Sequence, residues 1–323
     1  MNNPPRSTPG SRLALAGLLA ATVLSAPACL GPDSRQTRRY RKADLQQHLQ
    51  KFETTGLEIG ELPLGWNPIL DGDTIRVAGL KSTLRLLAVD TEETFKKEPE
   101  KRAYEAGWES YLKKMMGDGK KPVKMATPLG EDGKKFALKF FAGVKKVRLE
   151  RDHPKEIRDR FDRYLSYVFV KKNCQWVNYN LECVREGLSP YFTKYSYSRR
   201  FHQQFVDAQA DARRRKVGIW DPSKQHYPDY EKRLVWWNAR ADFIQAFEKE
   251  AEGKPSWIVL TNWDSMRRLS DHVDKEVVVL GDIGQIKLGD RGPTKVMLSR
   301  RRGSDLPLIV QASGVPETTA GVG

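Results

Sequence analysis

Short β-type runs with charged residues at their ends constrain the fold of this chain more than any other feature of its sequence. The runs are rich in β-branched or aromatic residues, and turn residues separate them. Strands are predicted over 57–62, 74–77, 84–89, 144–149 and 164–170. Asp71-Gly72 supplies the chemistry of a tight turn between the first two. The pattern indicates a small β structure, such as a barrel, at the centre of the fold.

Helical segments lie between and after these strands. The i, i+4, i+7, i+8 and i+11 spacing of an amphipathic helix is formed by Tyr104, Trp108, Tyr111, Leu112 and Met115. Further helices are predicted around 136–141, over 177–187 and 198–216, and over a long stretch after Pro228. Short strands return over 257–260, 276–283, 294–298 and 306–310. The sequence therefore predicts a fold that is mainly β with packed helices, an α+β class.

The excess of positive charge points to a polyanionic partner. The chain has 323 residues, with 56 Lys and Arg against 41 Asp and Glu, and a formal net charge of +15. Such a charge favours nucleic acid or an anionic membrane surface. Three cysteines exclude a Cys-based zinc cluster and a disulfide-stapled mini-domain, and the sequence contains neither a P-loop nor GxGxxG. The sequence therefore gives no support for an enzyme that hydrolyses a nucleotide through a P-loop or binds a dinucleotide cofactor. No protein partner is inferred.

The amino terminus has the features of an export signal. Two arginines precede an apolar run over 13–24, which is too short to span a membrane comfortably. Ala26-Pro27-Ala28 forms a small-x-small cleavage site, and the same bond precedes Cys29 as in the lipobox of bacterial lipoproteins. The sequence therefore predicts an exported protein, either anchored to a membrane through lipidated Cys29 or secreted or periplasmic. In an oxidising compartment Cys174 and Cys183 could pair or could remain free thiols.

Three charged segments carry the chemistry that the sequence predicts. They are Asp71-Gly72-Asp73-Thr74, the run from Arg85 to Thr94, and Asp159-Arg160-Phe161-Asp162-Arg163-Tyr164. Each lies at the end of a predicted strand, so their side chains can converge on one rim of a small barrel. Carboxylates are hard ligands for Ca²⁺ or Mg²⁺, and guanidinium groups can bind phosphate oxygens. A further carboxylate can take a proton from water, so together the segments favour phosphodiester hydrolysis.

In this order the segments resemble the staphylococcal nuclease (thermonuclease) family. The likeness covers about 56–222 and includes Arg185-Glu186-Gly187-Leu188 and the closing Gly218-Ile219-Trp220. The resemblance implies a five-stranded OB-type barrel packed against helices. It also implies hydrolysis of DNA and RNA to 3′-phosphate ends, with single-stranded or frayed duplex substrates favoured.

The resemblance also assigns residues to roles. Ca²⁺ would be held by Asp73, Asp90 and the carbonyl of Thr91. Glu93 would be the general base, and Arg85 and Arg163 would contact the scissile phosphate. Nucleic acid would further be bound by Arg160, Tyr191, Tyr195 and Tyr197.

Three positions depart from the family pattern. Glu92 replaces a proline and is expected to loosen the loop that aims Glu93. Asp162 replaces a glycine and is expected to add negative charge beside Arg163, while Phe161 lacks the hydroxyl of a tyrosine. These departures keep open a catalytically attenuated protein that binds nucleic acid without cutting it. A structural lipoprotein that binds anionic lipid is a further alternative, but it leaves the order of the segments unexplained.

Changes in composition divide the chain into six predicted segments. They are a signal peptide (1–28), a basic polar tether (29–55), a nuclease domain (56–228) with an insertion at about 95–127, a helical linker (229–256), a C-terminal β-rich, OB-like module (257–312) and a disordered tail (313–323). The insertion could be a lid over the site or could serve packing alone.

Overall fold

The computed structural model describes residues 52, 56–117, 122–159, 161–289, 293–299 and 305–310. Its strands are β1 (Glu58–Ile69), β2 (Thr74–Val77), β3 (Leu84–Leu86), β4 (Lys146–Glu150), β5 (Tyr164–Lys172), β6 (Gln175–Asn178), β7 (Trp257–Val259), β8 (Val278–Leu280), β9 (Asp282–Lys287), β10 (Thr294–Ser299) and β11 (Leu306–Val310). Its helices are α1 (Glu98–Glu105), α2 (Trp108–Met116), α3 (Pro128–Phe140), α4 (Tyr179–Arg185), α5 (His202–Arg215), α6 (Tyr230–Glu250) and α7 (Ser265–Ser270), with a short 3₁₀ turn at Gly218–Trp220.

The first five strands form a closed barrel. Neighbours in the sheet follow the order β3-β2-β1-β4-β5-β6, and β3 also pairs with β5 in parallel, which closes the ring. The first half of β1 pairs with β4 and the second half with β2, and its register shifts between Leu64 and Ile69. Asn67 takes a positive φ of 45° in this stretch, so the strand bends from one partner to the other. The predicted α+β class with a five-stranded barrel is confirmed.

The barrel core is apolar, and three helices cover it. Leu62, Ile75 and Leu84 are fully buried inside the barrel. Helices α3, α4 and α5 each place buried residues in the same core, of which Val184 and Phe205 are inaccessible to solvent. Burial of apolar area at about 25 cal/mol per Å² is the main term that holds these helices on the barrel.

The insertion builds a second small core. Tyr111 of α2 and Met125 pack with Ile219, Tyr227 and Tyr230 from the chain that follows the barrel. One helix was predicted over 104–115, but the structure has two, because Gly107 takes a φ of 147° that interrupts the helical path. The apolar face of the insertion is therefore buried by packing.

The C-terminal strands form two small sheets. β7 pairs with β8 in parallel, and β9, β10 and β11 form an antiparallel meander. The strand predicted over 276–283 is divided between β8 and β9, and α7 was not predicted. The OB-like arrangement of this module and the segment boundaries remain predictions, and the segments at 1–28 and 313–323 lie outside the described residues.

The structure describes two of the three cysteines. Cys183 is a free, buried thiol, so it does not pair with Cys174. Cys29 lies outside the described residues. In the described part of the chain, none of the helices is both long enough and apolar enough to cross a bilayer.

Candidate active site

Strand register brings the charged segments to one rim of the barrel. Thr74 at the start of β2 pairs with Arg85 of β3, which puts the preceding Asp73 beside the Arg85 side chain. Arg85 in turn pairs with Leu165 of β5, in parallel, so the segment just before β5 reaches the same rim. Convergence therefore follows from two strand pairings rather than from proximity in sequence.

Arg85 holds two carboxylates at once. Its Nη1 donates to Asp73 Oδ2 and its Nη2 to Asp90 Oδ1, both at 2.9 Å. The Thr91 backbone N–H also donates to Asp73 Oδ2, at 3.1 Å. Burial acts to raise the pKa of Asp73, but the Arg85 guanidinium and the hydrogen bonds outweigh burial and hold that pKa below its usual range. Asp73 is therefore an anion in the folded protein.

Asp71 adds a third carboxylate to this cluster. Its Oδ2 is 3.4 Å from Lys96 Nζ, whereas its buried Oδ1 has no hydrogen-bond partner. Burial, together with the charge of Asp73, raises the pKa of Asp71 to about 6. Burial is thus the main cost of an ionised Asp71, and the negative charge of Asp73 adds to it.

Glu93 lies between two lysines that the sequence did not identify. Its Oε1 is 3.0 Å from Lys124 Nζ and its Oε2 is 3.1 Å from Lys96 Nζ. Burial acts to raise the pKa of Glu93, but the two ammonium groups outweigh it and lower the pKa below the ordinary Glu value. Lys96 is three residues from Glu93 in sequence and could have been noticed. Lys124 could not have been noticed, because it is distant in sequence and only the fold of the insertion brings it next to Glu93.

Glu92 anchors the loop that carries Glu93 instead of loosening it. Its side chain is 1% exposed. Glu92 Oε1 accepts from the Tyr227 backbone N–H at 2.6 Å and from the Tyr230 hydroxyl at 2.9 Å, and Oε2 accepts from the Thr127 hydroxyl. Burial raises the pKa of Glu92 even though these donors oppose it. The expectation of a loosened loop is therefore wrong, because the carboxylate is tied to three separate parts of the chain.

The backbone of Glu93 is held by the same elements. Its carbonyl accepts from the Thr127 N–H at 3.0 Å, and its N–H donates to the Tyr227 hydroxyl at 3.3 Å. Glu93 also forms an isolated parallel bridge with Ala126. The insertion and the chain after the barrel thus clamp the residue that the resemblance makes the general base.

Arg163 is paired with Asp159 rather than with its sequence neighbour Asp162. Arg163 Nε donates to Asp159 Oδ2 at 2.8 Å, and the guanidinium lies 5.5 Å from the centre of the Phe161 ring. Asp162 takes a φ of 65°, which is a conformation that favours glycine, and pairs with Arg158 at 2.9 Å. The expected extra negative charge beside Arg163 therefore comes from Asp159 instead.

The predicted nucleic-acid residues separate in the structure. Tyr195 is half exposed, and Tyr197 is partly buried with its hydroxyl donating to Asp242. Tyr191 is 3% exposed and stacks on Phe205 in the core, so it is not available to a base and that assignment is wrong. Arg160 lies outside the described residues.

One cavity of about 720 Å³ joins these groups. Its lining includes the five charged residues on which the predicted chemistry depends: Asp73, Arg85, Asp90, Glu93 and Arg163. Lys96, Lys124 and Tyr195 line the same cavity, as does Trp236 of α6, which the sequence did not suggest. The cavity wall thus carries both guanidinium groups and the candidate base.

Comparison with known proteins decides the family. A family model described as "Staphylococcal nuclease homologue" matches residues 83–222. The thermonuclease of Staphylococcus hyicus is 31% identical over 157 residues, which cover 47% of this chain and 72% of that protein. This chain belongs to the staphylococcal nuclease family.

Two further relatives come from other organisms. Endonuclease YncB of Bacillus subtilis (strain 168) is 31% identical over 157 residues, 48% of this chain and 59% of that protein. An uncharacterized protein of Methanocaldococcus jannaschii is 28% identical over 155 residues, 47% of this chain and 69% of that protein. The family match ends at 222, so α6 and the C-terminal sheets lie beyond it.

The chemistry of the rim fits a hard cation such as Ca²⁺. Asp73 and Asp90 offer carboxylate oxygens, and the buried Asp71 Oδ1 has no partner. In the part of the chain that the structure describes, no group of three or more acidic, histidine or cysteine side chains has metal-binding geometry. Asp73 and Asp90 are thus two carboxylate donors at this rim, and both accept hydrogen bonds from Arg85.

Proposed function

We propose that this chain is a nuclease that hydrolyses phosphodiester bonds of DNA and RNA. Membership of the staphylococcal nuclease family and the similarity to a thermonuclease and an endonuclease support nuclease activity at this level. The single observation that carries the proposal is that Asp73, Arg85, Asp90, Glu93 and Arg163 all line one cavity. Phosphodiester hydrolysis needs this combination of guanidinium groups, carboxylates and a base.

In the proposed mechanism Glu93 is the general base and the two arginines stabilise the phosphate. Glu93 takes a proton from water while the water oxygen forms a bond to phosphorus. The bond from phosphorus to the 5′-oxygen breaks, and that oxygen takes a proton from solvent, which leaves 3′-phosphate and 5′-hydroxyl ends. Arg85 and Arg163 donate to phosphate oxygens as negative charge develops on them.

The proposed cofactor is Ca²⁺, held by Asp73, Asp90 and the carbonyl of Thr91. When bound, the cation would help neutralise the phosphate. Arg85 holds one oxygen of each carboxylate 2.9 Å from its own nitrogens and so keeps the two side chains on the same side of the rim. With so few protein ligands, we expect a dissociation constant in the range of about 10⁻⁴–10⁻³ M.

A second candidate function is binding without cleavage. Glu93 is paired with Lys96 and Lys124, and Arg163 with Asp159. The ion pairs engage the proposed general base, Glu93, and one of the two arginines proposed to bind phosphate, Arg163. Substrate must displace these pairs for turnover. A protein in which they persisted would bind nucleic acid and leave it intact.

Digestion of supercoiled plasmid and of single-stranded RNA separates the two candidates. The nuclease predicts cleavage with Ca²⁺, loss of cleavage with chelator, and products whose ends must be treated with phosphatase before a polymerase can extend them. Binding without cleavage in Ca²⁺ would support the attenuated protein and contradict the nuclease.

We also propose that the protein is exported and that Cys29 is either lipidated or the free amino terminus of the mature chain. The apolar run over 13–24 and the small-x-small site before Cys29 support this proposal. Mass spectrometry of the mature amino terminus tests it. Recovery of a chain that retains residues 1–28 would contradict export with cleavage at this site.

A further inference from the structure

We propose that Trp236 of α6, together with Lys194, forms a subsite for an unpaired base and its phosphate in the candidate active-site cavity, beside Tyr195, which the family resemblance already assigns to nucleic acid. This inference rests on the proposed function for its substrate class, a single-stranded polynucleotide. Trp236 belongs to α6, which follows the part of the chain that the family model matches. The appended helix would therefore extend the nuclease site rather than merely pack on it.

The two rings are open to solvent at the wall of the cavity. Trp236 is 47% exposed and Tyr195 is 50% exposed, and both line the cavity that holds Arg85 and Glu93. Flat aromatic faces bind successive bases by stacking, with little dependence on sequence. Continuity with the candidate active site means that one strand can contact the rings while its backbone passes the arginines.

The ammonium group of Lys194 lies close to both rings. Lys194 Nζ is 5.2 Å from the centre of the Trp236 ring and 5.5 Å from that of Tyr195. A nucleotide has the complementary pair of groups, since its base can stack on a ring while its phosphate binds the ammonium group. An apolar ligand would gain nothing from Lys194, and a free anion would gain nothing from the rings.

Packing and hydrogen bonds hold the segment of α6 that carries Trp236, here called the platform, against the loop at 192–197. Trp237, next to Trp236, packs edge-on against Phe192 with ring centres 4.7 Å apart. The Thr193 hydroxyl donates to Asn238 Oδ1 at 2.8 Å, and Arg240 Nε donates to the Lys194 carbonyl at 2.7 Å. Stacking therefore needs little additional ordering of the protein, which favours affinity.

The same loop connects the platform to the catalytic rim. The Arg85 guanidinium lies 5.3 Å from the centre of the Phe192 ring, on which Trp237 packs. Duplex bases are stacked on one another and cannot use Trp236 without opening. The subsite therefore selects single strands and frayed ends over closed duplex.

The test is equilibrium binding of a 12-nucleotide single strand, followed by fluorescence anisotropy, in a Glu93→Gln background that slows cleavage and in chelator, which withholds Ca²⁺. Trp236→Ala should weaken binding about 5- to 100-fold. It should leave the slope of log K against log salt unchanged, because no phosphate contact is lost. Lys194→Gln should instead reduce that slope by about 0.7.

Trp66→Ala is the matched control. Trp66 is 95% exposed and is not among the residues that line the cavity, so its removal should leave affinity and slope as in the parent. For a blunt duplex, Trp236→Ala should change affinity by less than about 2-fold, in contrast to the single strand. Equal weakening for both substrates would overturn base stacking at Trp236.

The outcomes also separate this inference from the nuclease proposal. If the parent cleaves in Ca²⁺ and Trp236→Ala binds single strands as tightly as Trp66→Ala does, the subsite is refuted and the nuclease stands. If the parent does not cleave but Trp236→Ala loses affinity for single strands, the subsite stands and the nuclease is refuted.

Discussion

Glu92 has an unusual position for a carboxylate that directly precedes a candidate catalytic base. It is buried and receives three hydrogen bonds, from Thr127, Tyr227 and Tyr230. A buried anion is costly unless donors surround it, and here the donors come from the insertion and from the chain after the barrel. Glu92 therefore acts as a positioning residue for the loop that carries Glu93.

Glu92→Ala should lower the free energy of unfolding by about 2–3 kcal/mol, because it leaves two hydroxyls and one N–H buried without their acceptor. Glu92→Gln keeps one acceptor oxygen and should cost about 1 kcal/mol. Urea unfolding followed by tryptophan fluorescence measures both. Equal stabilities of the Ala variant and the parent would show that the three contacts contribute nothing.

The sequence indicated which charged residues lie at the site, but it did not indicate which of them form ion pairs with one another. Asp73, Arg85 and Asp90 could be inferred from the resemblance, since strand register is shared within a fold. The ion pairs of Glu93 with Lys124 and of Arg163 with Asp159 could not, because they depend on the insertion and on side-chain choices among several neighbours. The sequence reading of Glu92 failed because its donors are at least 35 residues away.

At the scale of elements, the first turn of α3 is packed directly on the catalytic loop. A Cβ added at Gly130 would lie 2.0 Å from the Glu93 carbonyl oxygen, so the backbone of the loop can approach the helix only at a glycine. Gly133, one turn later, would place its Cβ 3.8 Å from the nearest atom, which is ordinary contact. The two glycines thus offer a matched pair of positions on one helix.

Gly130→Ala should displace the loop and lower both stability and turnover, with a loss of turnover of about 10²-fold. Gly133→Ala should leave turnover unchanged and add up to about 1 kcal/mol of stability through helix propensity. Steady-state cleavage of an oligonucleotide and thermal unfolding measure both effects. If Gly130→Ala were as active as Gly133→Ala, the packing of α3 would not position Glu93.

Most elements were predictable from local patterns, and the exceptions have local causes. The long helix α6 and most barrel strands follow from their residue patterns, but the second half of β1 (64–69) was missed and the strand predicted over 84–89 ends at Leu86. The spacing of apolar residues predicted one helix where the structure has two. The backbone conformation of Gly107 interrupts the helix, and apolar spacing carries no information about that conformation. The short strand β6 was hidden at the start of a predicted helix, since Val177 suits both structures and only its pairing with Val170 decides.

At the scale of the whole molecule, the carboxylates at the rim should couple Ca²⁺ binding to folding. Asp71, Asp73 and Asp90 come together only when the barrel closes, so a cation held there binds the folded state alone. With a dissociation constant near 10⁻³ M, about 10 mM Ca²⁺ should add about 1.4 kcal/mol to the free energy of unfolding.

Thermal and urea unfolding with Ca²⁺, compared with NaCl at equal ionic strength, measure this effect. Asp73→Asn removes one of the proposed ligands and should abolish the difference between the two salts. Stabilisation by Ca²⁺ that persists in Asp73→Asn would place the cation elsewhere.

Residues beyond 222, where the family match ends, also contribute to the site. Tyr227 and Tyr230 hold Glu92, and Trp236 lines the cavity. The insertion contributes Lys124 to Glu93. The candidate active site is thus built by the barrel, the insertion and the chain after the barrel together.

The most direct test of the account is single-turnover cleavage of a labelled oligonucleotide in Ca²⁺ by Glu93→Gln, beside Glu61→Gln as an exposed control on β1. The account predicts that Glu93→Gln slows cleavage by about 10²–10⁴-fold and still binds the oligonucleotide, while Glu61→Gln cleaves at the parental rate. Cleavage by Glu93→Gln at the parental rate would contradict the assignment of the base and, with it, the proposed chemistry of the cavity.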